Sequence, residues 1–217
     1  MPSAKAQTGA GRLPPIARQA LVLGSGPNAA PPPGFPNDWM LLTVNGSQAI
    51  AEAWGAPRPD LTLFGTTVLG RHPSNRAAQA VLRGAGTDCL VMVSEGFHRF
   101  GDRLNLWRIG YRFGSLRWLS RAERRAIIAM VLGEEASLKP SNGIVLAIIA
   151  LSLGCPRVVM TGFSLSSAGH AYNDLNHPRN HVDADAAVLA EIVRQKLPVF
   201  TNDPRFAAET GLSLLQF

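Results

Sequence analysis

The feature that most restricts the fold of this 217-residue chain is a set of short apolar runs, at 20–23, 39–44, 61–64, 89–93, 157–160 and 197–200. None of them alternates with polar residues. Such runs fit strands covered on both faces, as in a parallel sheet, better than strands with one wet face. Between them the periodicity predicts helices over 47–54, 74–82, 121–132, 143–153 and 183–195. Gly154-Cys155-Pro156 ends the fourth, with a glycine after the last turn and a proline that cannot continue it. Strand–helix alternation predicts an α/β fold: a single Rossmann-like, mostly parallel sheet with helices on both faces, spanning 18–217. Residues 1–17 hold small residues and prolines without an apolar core, so they read as a flexible tail and not as a secretory signal. The longest apolar stretch, Ile144–Leu153, is too short for the roughly 20 residues that cross a bilayer.

Two long connections interrupt the pattern. One runs from Ser94 to Ser120, the other from Gly162 to His181, and the second holds three of the chain's five histidines. Connections this long in a compact domain are usually functional or disordered. The net charge of +6 has a location as well as a size. Residues 97–125 carry eight arginines against Asp102 and Glu123, which accounts for the whole excess and leaves the rest of the chain formally neutral. The two cysteines, Cys89 and Cys155, read as small buried hydrophobes; with no CxxC pattern they exclude a disulfide framework and a thiolate zinc site, and they favour a reducing cytoplasm.

The residues that can carry chemistry gather after strands, where open α/β sheets bind ligands. The first predicted strand ends in Gly24-Ser25-Gly26-Pro27-Asn28. Glycines there let backbone approach a phosphate and donate N–H groups to it, and a plain tight turn is the competing reading. Ala29 stands where a dinucleotide fingerprint needs its third glycine, and Pro27 with the prolines at 31, 32, 33 and 36 prevents an immediate helix, against a standard NAD site. Asn45, after the second strand, offers donor and acceptor to a nucleotide or makes an Asn-Gly turn or helix cap. Ser141-Asn142-Gly143 opens the apolar helix, as a cap, as an anion site, or as both. Gly162 and Ser164 follow the fifth run, and then come His170, Tyr172, His177, His181, Asp183 and Asp185. Pro178 between His177 and His181 breaks the shared helix that a zinc-type HxxxH needs. A histidine–carboxylate metal site and a histidine general base both stand open. Asp183-Ala184-Asp185 looks like a DxD motif, yet its place at a helix start is explained by the helix dipole.

In their order, GSGPN, VNG, SNGIVLAIIALSLGCPRVVMTGFS, AY and HVDAD, these segments resemble the bacterial sialyltransferases of glycosyltransferase family forty-two. The resemblance covers Ala20 to about Phe206, with the middle third poorly matched. It implies a variant GT-A fold with a short lid at 162–181, and a metal-independent inverting transferase with no required cofactor. The donor would be a cytidine monophosphate (CMP) sugar carrying an acidic sugar, sialic-acid-like or Kdo-like, and the acceptor a glycan or glycolipid hydroxyl. Carried across, Gly24, Ser25, Gly26 and Pro27 would meet the donor phosphate, and Asn45 would lie beside the nucleotide. Ser141, Asn142 and Gly143 would meet the sugar or its carboxylate, with Gly162 and Ser164 in the same pocket. Tyr172 would donate to the leaving phosphate oxygen and His181 would deprotonate the acceptor. Three positions depart from the family: Ser25 stands for Asn, Asn142 for Ser, and Ser166 for a lid tyrosine.

A methyltransferase using S-adenosylmethionine would share the glycine loop, but it usually has an acidic residue where this chain has Asn45. A pyrophosphoryl transferase shares the loop as well. The basic segment interleaves Phe97, Phe100, Trp107, Tyr111, Phe113 and Trp118 with arginines. That pattern suits an anionic membrane surface, or a solvated basic face with its aromatics in the core; no RNA-binding motif accompanies it, so nucleic acid is disfavoured. The expected setting is the cytoplasm, peripheral on the inner face of the membrane, with a homo-oligomer left open.

Overall fold

The computed structural model describes residues 18–65, 68–70, 72–94, 96, 98–133, 137–166 and 181–216. The expected tail at 1–17, Tyr172 and most of the expected lid lie outside them. Eight strands among the described residues form one sheet: β1 (Gln19–Leu23), β2 (Trp39–Val44), β3 (Leu61–Phe64), β4 (Gly86–Val93), β5 (Arg112–Leu119), β6 (Val158–Thr161), β7 (Val199–Thr201) and β8 (Ser213–Leu214). The order across the sheet is β5-β4-β3-β2-β1-β6-β7-β8, and every pair is parallel. The chain therefore steps outward from β1 to one edge, returns, and steps outward again on the other side. The reversal falls between β1 and β6, the kind of boundary beyond which open α/β sheets bind ligands.

Helices cover both faces: α1 (Gln48–Ala53), α2 (Pro73–Leu82), α3 (His98–Arg108), α4 (Arg121–Leu132), α5 (Asn142–Ser152), α6 (Val182–Arg194) and α7 (Pro204–Thr210). The division follows the strand period of two. Ala20, Val22, Leu42, Leu63 and Met160 point to the side covered by α4, α5 and α6. Leu21, Leu23, Leu41 and Val159 point to the other, under α1, while Phe64, Leu90 and Met92 pack there against α2 and α3. The helix α5 runs under the middle of the sheet, and every residue from Gly143 to Ala150 is buried, which explains a segment that is apolar all round. Between β1 and β2 no helix forms. The proline-rich loop takes its place, bringing Ala29 and Phe35 onto the cluster around Leu21 and Trp39.

The segment 94–120 is not the long connection the sequence suggested. It contains α3 and β5. β5 is an edge strand, so it carries exposed Arg112 and Arg117 where a central strand would be apolar, and the arginines blunt the edge. In α3 the large apolar side chains are split between two sides. Leu106, and Ile109 just after the helix, are buried, whereas Phe100 and Trp107 are exposed, so no single apolar face stands out. The segment's aromatics divide accordingly: Tyr111 is buried and Phe113 and Trp118 are half-buried. Two further elements, α7 and β8, lie beyond the last predicted strand, and β8 extends the sheet past β7.

Candidate active site

The crevice at the β1/β6 boundary is built by glycines that let two loops touch. The N–H of Gly24 donates to the carbonyl of Thr161 at 2.8 Å, and that of Gly26 to the carbonyl of Gly162 at 2.7 Å. A Cβ on Gly24 would stand 2.3 Å from the Gly162 oxygen, and one on Gly26 would stand 2.7 Å from it. Gly162 itself has φ +72, and a Cβ there would press on Ala29 and the Gly24 oxygen at 2.9 Å. Both glycine N–H groups of the first loop thus hold the second loop. Of the Gly24–Pro27 segment, Ser25 is half-buried and Pro27 is exposed at the rim. The Thr161 hydroxyl adds a second clasp, accepting from the Ala30 N–H at 3.1 Å and donating to the Ala30 carbonyl at 3.0 Å.

A second convergence lies at the carboxyl ends of β2 and β3. Asn45 begins a 3-10 turn (Asn45–Ser47) in the left-handed region, φ 49, and its Oδ1 accepts the Gly65 N–H at 2.9 Å. A Cβ on Gly65 would meet the Asn142 amide nitrogen at 2.3 Å, so Asn45, Gly65 and Asn142 share one small volume. Ser141 takes the N-cap position of α5, yet its hydroxyl makes no capping bond. The buried carboxylate of Asp185, in the first turn of α6, accepts the Ser141 N–H at 2.6 Å. Arg124 of α4 donates to the neighbouring Pro140 carbonyl at 2.5 Å. Burial lowers the pKa of that guanidinium, opposed by the attraction of Asp185. Asp183 and Asp185 therefore stand at a helix start, as the dipole argument expects.

His181 is exposed at the N-cap of α6, and its carbonyl accepts the Asp185 N–H at 2.8 Å. The carboxylate one turn away is engaged with Ser141, so a link runs from His181 through α6 to the start of α5. Gly143 faces the ring of Phe163: a Cβ there would lie 2.3 Å from the ring edge. That ring stacks on Phe206 of α7, with centroids 5.9 Å apart, and a Cβ on Gly24 would touch it at 3.0 Å. Sequence reasoning missed Phe163 as the wedge joining Gly24 and Gly143.

It missed Glu209 as well. This α7 carboxylate accepts the Leu165 N–H at 2.7 Å and the Ser164 hydroxyl at 3.1 Å, together with the Ser166 hydroxyl. Arg205 stands 3.6 Å away. Partial burial pushes the Glu209 carboxyl up, but the bonds from Ser166, Leu165 and Ser164, with Arg205, outweigh it and hold the group below the ordinary carboxylate range. No local pattern announces such a clamp, because its partners lie more than forty residues apart. The described segment after β6 is thereby fixed up to Ser166, where the expected lid continues outside the described residues.

No known protein-family profile matches the chain, and no curated protein matches it in sequence. Solved structures do match. The sialyltransferase CstII from Campylobacter jejuni, in complex with the substrate analogue CMP-3FNeuAc, superposes with a TM-score of 0.59 at 12% identity, over 92% of this chain and 87% of that one. The fold is that of these sialyltransferases. The monofunctional alpha-2,3-sialyltransferase Cst-I from Campylobacter jejuni gives 0.59 at 11% identity, over 98% of this chain and 87% of its own. CstII in complex with a trisaccharide acceptor and CMP gives 0.57 at 11% identity, over 92% and 86%. The open parallel α/β sheet expected from the sequence is thus the architecture of CstII and Cst-I.

A separate cavity of about 530 Å³ lies at the opposite, amino end of the sheet, between Gln48, Glu52, Arg58, Arg83, Gly86 and Arg112. None of the residues singled out for chemistry reaches it.

Two predictions follow from the contacts at the crevice. Gly162→Ala is expected to lower stability in urea denaturation by about 3 kcal/mol, combining left-handed strain with the clash on Gly24 and Ala29. The control Gly34→Ala, at φ 77 with open space around its Cβ, should cost about 1 kcal/mol; equal losses would show that the two loops do not press together. Because the folded pKa of Glu209 is lowered, its contribution to stability is complete above the ordinary carboxylate range and is lost as pH falls through the lower folded value. Glu209→Gln should therefore flatten the acid limb of the stability–pH curve, and an unchanged limb would remove Glu209 as its source.

Proposed function

We propose that this protein is a glycosyltransferase that moves an acidic sugar, sialic-acid-like or Kdo-like, from a CMP-sugar to the hydroxyl of a glycan or glycolipid, with inversion and without a required metal. The observation that carries the reading is the convergence of Gly24–Pro27, Asn45, Ser141–Gly143 and Gly162–Ser164 at one strand edge. The fold that holds them is the one in which CstII was solved with CMP and with CMP-3FNeuAc.

In this reading the rim at Ser25 and Pro27 faces the donor phosphate. Asn45 and Asn142 line the nucleotide and sugar side, and Ser141 lies at the positive end of α5, where a sugar carboxylate is stabilised. The acceptor oxygen attacks the anomeric carbon, and His181 takes the proton it gives up. The bond from that carbon to the phosphate oxygen breaks, and CMP leaves with the electron pair. Tyr172 donates a hydrogen bond to the departing oxygen. Positive charge builds on the sugar and negative charge on the phosphate, so a donor at the phosphate and a base on the opposite face lower the same barrier. The enzyme works at the inner face of the membrane, peripheral to it, on a lipid-linked or glycan acceptor. A methyltransferase reading is disfavoured by Asn45, whose carboxamide oxygen is bound to Gly65 where that class places a free carboxylate.

The test is a thermal-shift panel of nucleotides together with donor hydrolysis. CMP is expected to raise Tm, and stabilisation by S-adenosylmethionine alone would overturn the reading. In the same assay His181→Ala should lose transfer by about 100-fold or more, the usual scale for a general base, while CMP still stabilises the variant. Unchanged turnover would remove His181 as the base.

A further inference from the structure

The function above leaves α3 unused, and α3 carries an unusual outer face. Phe100 is 79% exposed, Trp107 77% and Leu104 38%. Their spacing of four and three places them on one side of the helix. The opposite side does the packing, with Leu106 and Ile109 nearly fully buried and Asp102 accepting the Ser94 hydroxyl at 2.6 Å. The outer stripe is therefore free of any part in holding the helix down. Arg103 and Arg108 flank it, both exposed. Arg99 lies over the Trp118 ring at 5.6 Å, and Arg112 and Arg117 line the adjacent edge strand. Asp102, the acidic residue of α3, faces inward.

We propose that this face of α3 docks on an anionic lipid bilayer, with Phe100, Leu104 and Trp107 in the interfacial layer and Arg103 and Arg108 on lipid phosphates. Two aromatic rings exposed to this degree on a helix rimmed by arginine match an interfacial helix, with apolar side chains on one arc and guanidinium groups at headgroup level. Charge complementarity selects the occupant. A second copy laid on the same stripe would set arginine against arginine, with the α3 carboxylate, Asp102, turned to Ser94, whereas a bilayer of acidic lipids presents the opposite charge. The inference is independent of the donor assignment.

The full chain is sedimented with phosphatidylcholine vesicles and with mixed phosphatidylcholine–phosphatidylglycerol vesicles. Partitioning is expected to be about tenfold or more higher on the mixed vesicles, to fall as salt is raised, and to shift tryptophan emission to the blue. The double variants Phe100→Ser/Trp107→Ser and Arg103→Ser/Arg108→Ser should each lose about tenfold of that binding, with circular dichroism unchanged. Their stabilisation by CMP should be intact, which separates failure of the docking surface from failure of the donor reading. Equal retention on both vesicle types, or full retention by the Phe100→Ser/Trp107→Ser variant, would overturn the proposal. So would displacement of vesicles by single-stranded RNA, or self-association that the same variant abolishes.

Discussion

The architecture turns on a backbone-to-backbone contact. Gly24 and Gly26, leaving β1, donate to the carbonyls of Thr161 and Gly162 at the end of β6, with no Cβ on the glycines to hold the two loops apart. These strands are neighbours in the sheet but more than 130 residues apart in sequence, so the contact closes the two halves of the fold onto each other. Parallel neighbours normally diverge at their carboxyl ends at such a boundary, and that divergence makes the crevice. Here it is narrowed to the reach of a hydrogen bond. Any side chain at Gly24, Gly26 or Gly162 would push the loops apart and widen the place where the chemistry gathers.

From that contact the remaining site residues are placed by relay. Phe163 follows Gly162 directly, and its ring fills the space left open by Gly24 and Gly143, so the position of β6 is transmitted to the start of α5. Asp185 ties the same end of α5 to the first turn of α6, where His181 sits. Glu209 fixes the residues after Phe163 from the far side. The loops at the β1/β6 boundary and the start of α6 at His181 are thus held by one connected frame.

Much of this frame is legible in the sequence where burial is total. β2 and β3 are covered on both faces, so their runs are buried at every position and apolar but for Thr43 and Thr62, whose hydroxyls bond each other at 2.8 Å, and their bounds, 39–44 and 61–64, stand as expected. α4 also spans the predicted 121–132. Legibility fails where an element is half wet. β5 mixes arginine, glycine and serine irregularly with apolar residues at an open edge, and α3 divides its apolar side chains between the core and solvent, so neither stands out as an apolar run or a single apolar face. The candidate site was read as a set of positions after strands, where glycine and asparagine also make turns and caps. Its internal bonding was not. That Gly24 and Gly26 spend their N–H groups on β6, or that Glu209 clamps residues 164–166, depends on pairs far apart in the chain, and no local pattern encodes them.

The edge position of β5 has an electrical consequence. Four strand spacings separate it from β1, about 19 Å at about 4.8 Å each. That is roughly twice the distance over which salt at physiological strength screens a charge, about 8 Å. Arg112 and Arg117 are therefore nearly invisible to a phosphate in the crevice, although they belong to the segment that carries the chain's whole excess charge. Of that segment, Arg124 reaches the frame of the site, through the Pro140 carbonyl. The edge strand's share of the excess charge is thus screened from the β1/β6 boundary, whereas Arg124 feels the attraction of Asp185. Charge on that edge strand can drift or be reversed with little effect on a charge held at the β1/β6 boundary.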